Sequence, residues 1–352
     1  MNTTDPLVTV TGLRTTFDTP KGLVRAVDGV DLTVGRGERV GIVGESGSGK
    51  SVLVRTLMNL FRDDPYTTVD GQVVFDGENV REMSRERRRH FWGRDIAMVF
   101  QNPMTSLNPV KRVGDQITDP MRFHLGLGRK AARAAAIELL VQLGIPAPQR
   151  RIDQYPHELS GGMRQRMAIA VALSCAPKLL LADEPTTALD VTVQKQILNL
   201  LDRLVAERGM SVVLISHDLG VVAGRTDRIA VMYAGEVVET GRPHELFRQY
   251  RHPYTRGLLN SAPRLHGAKH ARLDVIGGLP PDLTALPPGC RFAARCPQVQ
   301  PRCLDERPVL REAGPNGHRS ACHFPVGTPS GEQALAHNRD SGIAAVVEEV
   351  AS

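Results

Sequence analysis

Gly44-Glu45-Ser46-Gly47-Ser48-Gly49-Lys50-Ser51 places glycines, a lysine and a hydroxyl at the spacing that grips a nucleoside triphosphate. A glycine-rich turn lets backbone N–H groups converge on phosphate oxygens, and the helix that follows adds its positive end. Gly44, Gly47 and Gly49 allow the close approach, Lys50 brings a cation to the β- and γ-phosphates, and Ser51 offers a hydroxyl to Mg2+. Downstream, Leu179-Leu180-Leu181-Ala182-Asp183-Glu184 ends an apolar run in two carboxylates. Adjacent residues at a strand end point in different directions. Asp183 can therefore hold Mg2+, usually through water, while Glu184 polarises an attacking water as general base. A solvated acidic turn before Pro185 is the plainer reading, and it weakens beside the glycine loop. Gln101 can reach the metal and the water, or be a polar loop residue. His217 can donate to a γ-phosphate, although a lone histidine at a strand end is commonly structural.

These groups need a scaffold of strands ending at loops. Alternation over residues 7–34 predicts strands, and Arg39-Val40-Gly41-Ile42-Val43 reads as a buried strand entering the glycine loop. Residues 50–60 have helical spacing, which supplies the context that the loop requires. Residues 71–75 and 96–100 read as strands. Residues 102–176 change character, with amphipathic helices predicted over 130–143 and 162–175. The β/α pattern resumes with a strand at 179–182, a helix at 193–207 and a strand at 212–216. A hairpin closes around Tyr233-Ala234-Gly235. After about residue 254 the chain becomes rich in Pro, Gly and Cys, and from 327 it is polar, small-residue rich and read as a disordered tail.

Apolar residues at 41% and charged residues at 23% allow a substantial core without disulfides. A net charge of +6 over 352 residues is too mild to argue for nucleic-acid binding. The densest basic run, Arg85-Glu86-Arg87-Arg88-Arg89-His90, reads as an exposed helix. No stretch is long and apolar enough to span a bilayer. The opening Met1-Asn2-Thr3-Thr4-Asp5-Pro6 lacks the features of a secretory signal, which predicts a cytosolic protein whose membrane role comes through partners.

Leu159-Ser160-Gly161-Gly162-Met163 lies between the glycine loop and the acidic strand and resembles the signature of ABC-transporter ATPases. Residues 7–254 resemble that family in the order of every short motif: phosphate loop at 44–51, Gln101, signature at 159–163, Asp183-Glu184, Ala188-Leu189-Asp190 and His217. The resemblance implies an α/β fold, with a P-loop NTPase core, a β-rich N-terminal subdomain, an inserted helical subdomain over about 102–176 and an irregular C-terminal extension. It also implies two ATPase subunits arranged head to tail. Ser160, Gly161 and Gly162 of one would touch the γ-phosphate held by the other, with the helix N-terminus aimed at it. The resemblance also implies that Asp190, in the family's D-loop Ala188-Leu189-Asp190, belongs to the nucleotide-binding residues. Phe17 matches the family's adenine-stacking aromatic, with a simple core role the competing reading. Met163 stands where many members carry glutamine, a departure that leaves serine and backbone contacts to phosphate available.

Gln101-Asn102-Pro103-Met104-Thr105-Ser106-Leu107-Asn108-Pro109, His252-Pro253-Tyr254-Thr255 and Leu286-Pro287-Pro288-Gly289-Cys290-Arg291-Phe292 are similar to the dipeptide and oligopeptide importer branch. The chain then divides into an ATPase domain at 1–255, an extension at 256–326 and a tail at 327–352. Cys290, Cys296, Cys303 and Cys322 suit a soft metal, and the branch resemblance favours a [4Fe–4S] cluster. Zinc, unligated thiols and disulfides are the alternatives, the last disfavoured by a reducing cytosol. His318 and His323 are possible substitute ligands. Cys175 reads as a packed apolar residue.

The resemblance implies ATP-driven import of peptides at the cytoplasmic face of the membrane. Its partners would be a related but distinct second ATPase, two permease subunits and an extracytoplasmic binding protein, with no nucleic acid. Import of nickel or another small ligand remains open. A soluble ABC ATPase acting on nucleic acid or ribosomes would call for fused ATPase halves or a long coiled-coil insertion. An iron–sulfur redox regulator with a vestigial nucleotide fold conflicts with the presence of Glu184 and His217.

Overall fold

The computed structural model describes residues 5–101, 106–185, 191–261 and 276–341. Two compact units are present: Met1–Leu7, Val34–Arg39 and Phe75–Ile215 form one, and Val8–Thr33, Val40–Val74 and Ser216–Ser352 the other.

The first unit centres on three parallel strands, Ile96–Val99, Leu179–Asp183 and Ser211–Ser216, with Leu179–Asp183 in the middle. Every residue of all three is buried, as expected of a parallel sheet covered on both faces. The register sets Val99 beside Ala182 and Asp183 beside Ile215, so the strand ends carrying Gln101 and Asp183 emerge at the same edge. Helices occupy Val113–Leu125, Arg129–Gln142, Pro148–Arg151 and Gly161–Leu173. Arg129–Gln142 buries Ala132, Ala136, Leu139 and Leu140, a stripe at helical spacing whose two alanines permit close packing. Val191–Arg208 is the long helix after the acidic strand. The basic run forms the helix Arg85–His90 with no buried residue. Arg87 within it is engaged, by Glu78 and by Asp95, each at 2.8 Å.

In the second unit, Gly22–Val34, Val8–Thr19 and Thr67–Phe75 lie side by side in one sheet. A separate ladder begins with Arg39–Val43, parallel to Arg228–Tyr233, which pairs antiparallel with Glu236–Gly241. The extension continues this ladder: Arg319–Ser320 pairs with Glu239 and Thr240, and Arg311–Glu312 pairs with Arg319–Ser320 in turn. Tyr233, Tyr254, Phe292 and Cys296 share an apolar cluster with Val43, Val231 and Leu246. The Pro- and Cys-rich segment is therefore packed on the hairpin, although its elements are only one or two turns long.

One expectation is corrected. Pro329–Asp340, read from sequence as part of a disordered tail, is a helix. Thr328 caps it by accepting from the Gly331 N–H at 3.2 Å, and its polar composition conceals a docked face. Gln298 Nε2 donates to the Gly331 carbonyl at 2.8 Å, and Asn338 Nδ2 donates to the carbonyls of Pro297 at 3.0 Å and Val299 at 2.8 Å. Hydrogen bonds to backbone hold this helix where an apolar stripe would usually do so.

Candidate functional site

The glycine loop is shaped by what surrounds it. A Cβ on Gly44 would lie 2.1 Å from the Met232 carbonyl oxygen, and one on Gly49 would lie 2.2 Å from that of Ala26, so packing alone demands glycine at both. Gly47 has open space, and its φ of 78° is what favours glycine there. Gly49 is also the left-handed cap of the helix Lys50–Leu57, which has no side-chain cap. First-turn N–H groups of an uncapped helix are suited to an anion. Lys50 is buried, and its Nζ donates to the carbonyls of Gly44 at 2.8 Å and Glu45 at 2.7 Å and to Ser48 Oγ at 3.3 Å. The ammonium is thus held inside the curl of the loop. Ser46 and Gly47 are exposed, Ser48 is buried and Ser51 is half-buried.

In the first unit, Asp183 is buried at the end of its strand, and Glu184 has turned out of it into a left-handed conformation with φ of 44°. That conformation is uncommon for a side chain longer than Asn or Asp. The Glu184 N–H donates to the Ile215 carbonyl at 3.1 Å, which ties the turn to the neighbouring strand. Gln101 Nε2 donates to Glu184 Oε2 at 2.9 Å, so two residues picked out independently in the sequence meet.

Ser160 is the N-cap of Gly161–Leu173, accepting from the Met163 N–H at 3.4 Å. Among the described residues a Cβ on Gly161 would meet nothing within 4 Å, so their packing does not require glycine there. The buried Gln165 donates through Nε2 to the Pro185 carbonyl, joining the signature helix to the turn after Glu184. His217 is exposed after the strand Ser211–Ser216, and Asp218 caps the next helix. Asp190, with Ala188 and Leu189, lies outside the described residues. Phe17 is half-buried with its ring edge-on to Phe61, centroids 5.3 Å apart.

Cys290, Cys296, Cys303 and Cys322 line one cavity together with His252 and His323. All are free thiols. Burial pushes Cys290 and Cys322 up to about 12 and raises Cys296 and Cys303. Among the described residues no group of three or more His, Cys, Asp or Glu side chains is gathered in metal-binding geometry. Thiolates are the donors that a soft metal takes, but burial favours the protonated thiols here. His318 does not line the cavity: its Nε2 pairs with the buried Glu239 at 2.8 Å. His323 Nε2 bonds the Glu306 carbonyl at 3.0 Å. Cys175 is buried apart from this group, with its thiol also raised by burial.

Sequence reasoning missed Tyr254 and Arg295 as neighbours of the glycine loop. The Glu45 N–H donates to Tyr254 Oη at 2.8 Å, and Arg295 forms two hydrogen bonds with the Glu45 carboxylate. The available signal was an arginine inside an aromatic and cysteine-rich segment, which needs a carboxylate somewhere once buried.

Residues 27–187 match the ABC transporter family model, and residues 238–303 match that of the oligopeptide/dipeptide transporter C-terminal region. The dipeptide transport ATP-binding protein of Escherichia coli is 47% identical over 320 residues, covering 91% of this chain and 97% of that protein. The oligopeptide transport ATP-binding protein of Bacillus subtilis is 47% identical over 86% of this chain and 85% of its own length. Among solved structures, a dimeric post-hydrolysis form of the ATP-binding cassette MJ0796, bound to ADP and Pi, superposes with a TM-score of 0.60. It is 30% identical and covers 67% of this chain and 98% of that one. No helix among the described residues is long and apolar enough to cross a membrane.

Proposed function

The chain belongs to the ATP-binding subunits of ABC transporters, and from that premise we propose that it powers peptide import through a membrane permease. The observation that carries the reading is the match of residues 238–303 to the peptide-transporter C-terminal region, on the same chain as an ATPase core. The protein is an ATP-hydrolysing transporter subunit.

In the proposed cycle, loop amides from Gly44 to Ser51 cradle the triphosphate. Lys50 exchanges its loop carbonyls for β- and γ-phosphate oxygens. Ser51, Asp183 and Gln101 would hold Mg2+, which would supply neutralisation of phosphate charge. Glu184 accepts the proton of the attacking water, and Gln101 fixes the carboxylate that does so. His217 donates to the γ-phosphate, and Phe17 stacks on the adenine. Ser160, Gly161 and Gly162 complete the site of a second subunit, where the open space at Gly161 leaves room for a phosphate. Such a mechanism is positioning and charge stabilisation, the main demands of phosphoryl transfer. Asp190 is assigned, with the D-loop, to nucleotide binding. The second ATPase is a related, distinct chain at the cytoplasmic face of the membrane, working with two permease subunits and an extracytoplasmic binding protein.

Cys290, Cys296, Cys303 and Cys322 are proposed to hold a metal, with [4Fe–4S] favoured and zinc the rival. When bound it would staple a segment with few apolar contacts of its own. Anaerobic protein with brown colour and one cluster per chain supports the first metal; colourless protein with stoichiometric zinc supports the second.

The decisive experiment is reconstitution with the permease in liposomes. Peptide-loaded binding protein should raise ATP turnover and drive peptide uptake. Stimulation by a nickel complex and not by peptides would transfer the reading to small-ligand import. Stimulation by nucleic acid with no effect of permease would remove transport altogether.

A further inference from the structure

Arg295 ends the one-turn segment Ala293–Arg295, and its side chain is 3% exposed. Nη1 donates to Glu45 Oε2 at 2.7 Å and Nη2 to Oε1 at 2.9 Å, a two-point grip on a carboxylate of the phosphate loop. Its remaining bonds run from Nε to the Gly277 carbonyl at 2.7 Å, from Nη2 to that of Ile276 at 3.1 Å and from Nη1 to Tyr233 Oη at 3.3 Å. A guanidinium has five N–H groups, and these bonds occupy all of them. The guanidinium carbon also lies 5.7 Å from the centre of the Tyr233 ring and 5.9 Å from that of Phe292. Arg295 is therefore fully satisfied in this orientation, with two of its bonds holding the Glu45 carboxylate.

The backbone of Glu45 is held as well. Its N–H donates to the Oη of Tyr254, a fully buried residue. Lys50 Nζ bonds the carbonyls of Gly44 and Glu45, so the Gly44–Glu45 peptide that holds the phosphate-binding cation is also held by Tyr254, while Arg295 grips the side chain of the same Glu45. A carboxylate in a phosphate loop would by itself repel a triphosphate. Here its charge is cancelled by a buried, bidentate partner.

We propose that Arg295, assisted by Tyr254, is a positioning residue of the nucleotide site. The C-terminal extension neutralises Glu45 and pre-forms the phosphate loop, so that ATP binds without having to order it. Pre-organisation of this kind raises affinity by removing an ordering cost from the binding step. The assignment concerns ATP alone and holds whichever ligand the transporter carries.

The test uses the full-length chain and a fluorescent ATP analogue. R295Q should weaken binding about tenfold, equivalent to about 1.4 kcal/mol, because it leaves the Glu45 charge facing the phosphates. R295K, which keeps the charge and loses the fork, should weaken binding about threefold. The E45Q/R295Q double variant should bind more tightly than R295Q, since the repelling charge is gone. In steady-state hydrolysis, KM should rise in R295K while kcat stays within about twofold, the signature of lost ground-state binding. A purely structural arginine would give neither rescue by E45Q nor this split. R295K binding ATP as tightly as the unaltered chain, or a double variant no better than R295Q, would overturn the assignment.

Discussion

Gln101 Nε2 lies 2.9 Å from Glu184 Oε2, a contact between residues 83 positions apart in the chain. Because the acceptor is a carboxylate, the bond is charge-assisted and fixes Oε2 of Glu184. Glu184 arrives there through a left-handed backbone turn, so its direction is set by the main chain as well as by Gln101. Q101A should lower kcat about tenfold while ATP affinity changes less than twofold, as measured by single-turnover hydrolysis beside equilibrium binding. Equal losses in both would place Gln101 in ground-state nucleotide contact.

Glu184→Gln keeps the shape of the side chain and removes the base. Hydrolysis should fall at least about 100-fold, the lower range for loss of general base catalysis. ATP should remain bound, and the chain should accumulate in an ATP-dependent dimer with its partner ATPase in size-exclusion chromatography. Turnover at the normal rate would strip Glu184 of the role.

Ser160 has two jobs to separate. As an N-cap it stabilises its own helix, and losing a cap costs about 1 kcal/mol. As the proposed contact to a second subunit's nucleotide it supports dimerisation. Ser160→Asp keeps a good cap and places negative charge where a phosphate would sit. Thermal stability should be retained while ATP-dependent dimerisation is lost. A variant that still dimerises would leave Ser160 with the cap alone.

The motifs were legible because each is a contiguous run whose function follows from residue type: glycines that a Cβ would block, and a strand that ends in acids. Asp183, Glu184 and Lys50 needed no tertiary information. Gln101 beside Glu184 could be guessed only from roles, since nothing local specifies a partner 83 residues away. Arg295 and Tyr254 were invisible as loop contacts because burial of a charge depends on a carboxylate elsewhere in the fold. The helix Pro329–Asp340 escaped for a related reason: Gln298 and Asn338 dock it through backbone hydrogen bonds, which leave no hydrophobic period to read.

Asp76 offers a pH test within the first unit. It sits in a left-handed turn with φ of 52°, bonded to Arg36 and to Lys178 Nζ at 2.5 Å. Hydrogen bonds from Arg36 and then Lys178 hold its carboxyl at about 2, below its usual 3.8. The unfolded chain therefore takes up the proton first as pH falls. The stabilisation is complete above about pH 5 and disappears as pH drops through 3.8 toward 2. Solvent screening keeps its size near 1 kcal/mol. Asn tolerates the same backbone, so D76N should lose about that much at pH 6 and only a small fraction of it at pH 2, measured by urea denaturation. An equal loss at both values would assign the effect to shape and not to charge.

Arg291 and Arg307 bind the extension to strands laid down early in the chain. Arg291, with a 4% exposed side chain, pairs with Asp28, donates to the Ala234 carbonyl and lies 3.7 Å from Glu236. Arg307 reaches Asp28 at 3.1 Å and Glu236 at 2.6 Å. Burial pushes the Asp28 carboxyl up, but Arg307 and Arg291 outweigh it and hold it below the usual range. At Glu236 burial dominates and the carboxyl is raised. R291M would preserve volume while leaving Asp28 and Glu236 to Arg307 and to the more exposed Arg14, which reaches Asp28 at 3.1 Å. A buried pair broken from one side costs about 3–5 kcal/mol, and replacement of both partners costs much less. R291M should therefore destabilise the chain by about 3 kcal/mol, and D28N/R291M should recover at least half of that in denaturant midpoint. A double variant no more stable than R291M would mean that packing of the arginine stem, and not the cancelled charge, joins the extension to the Gly22–Val34 strand.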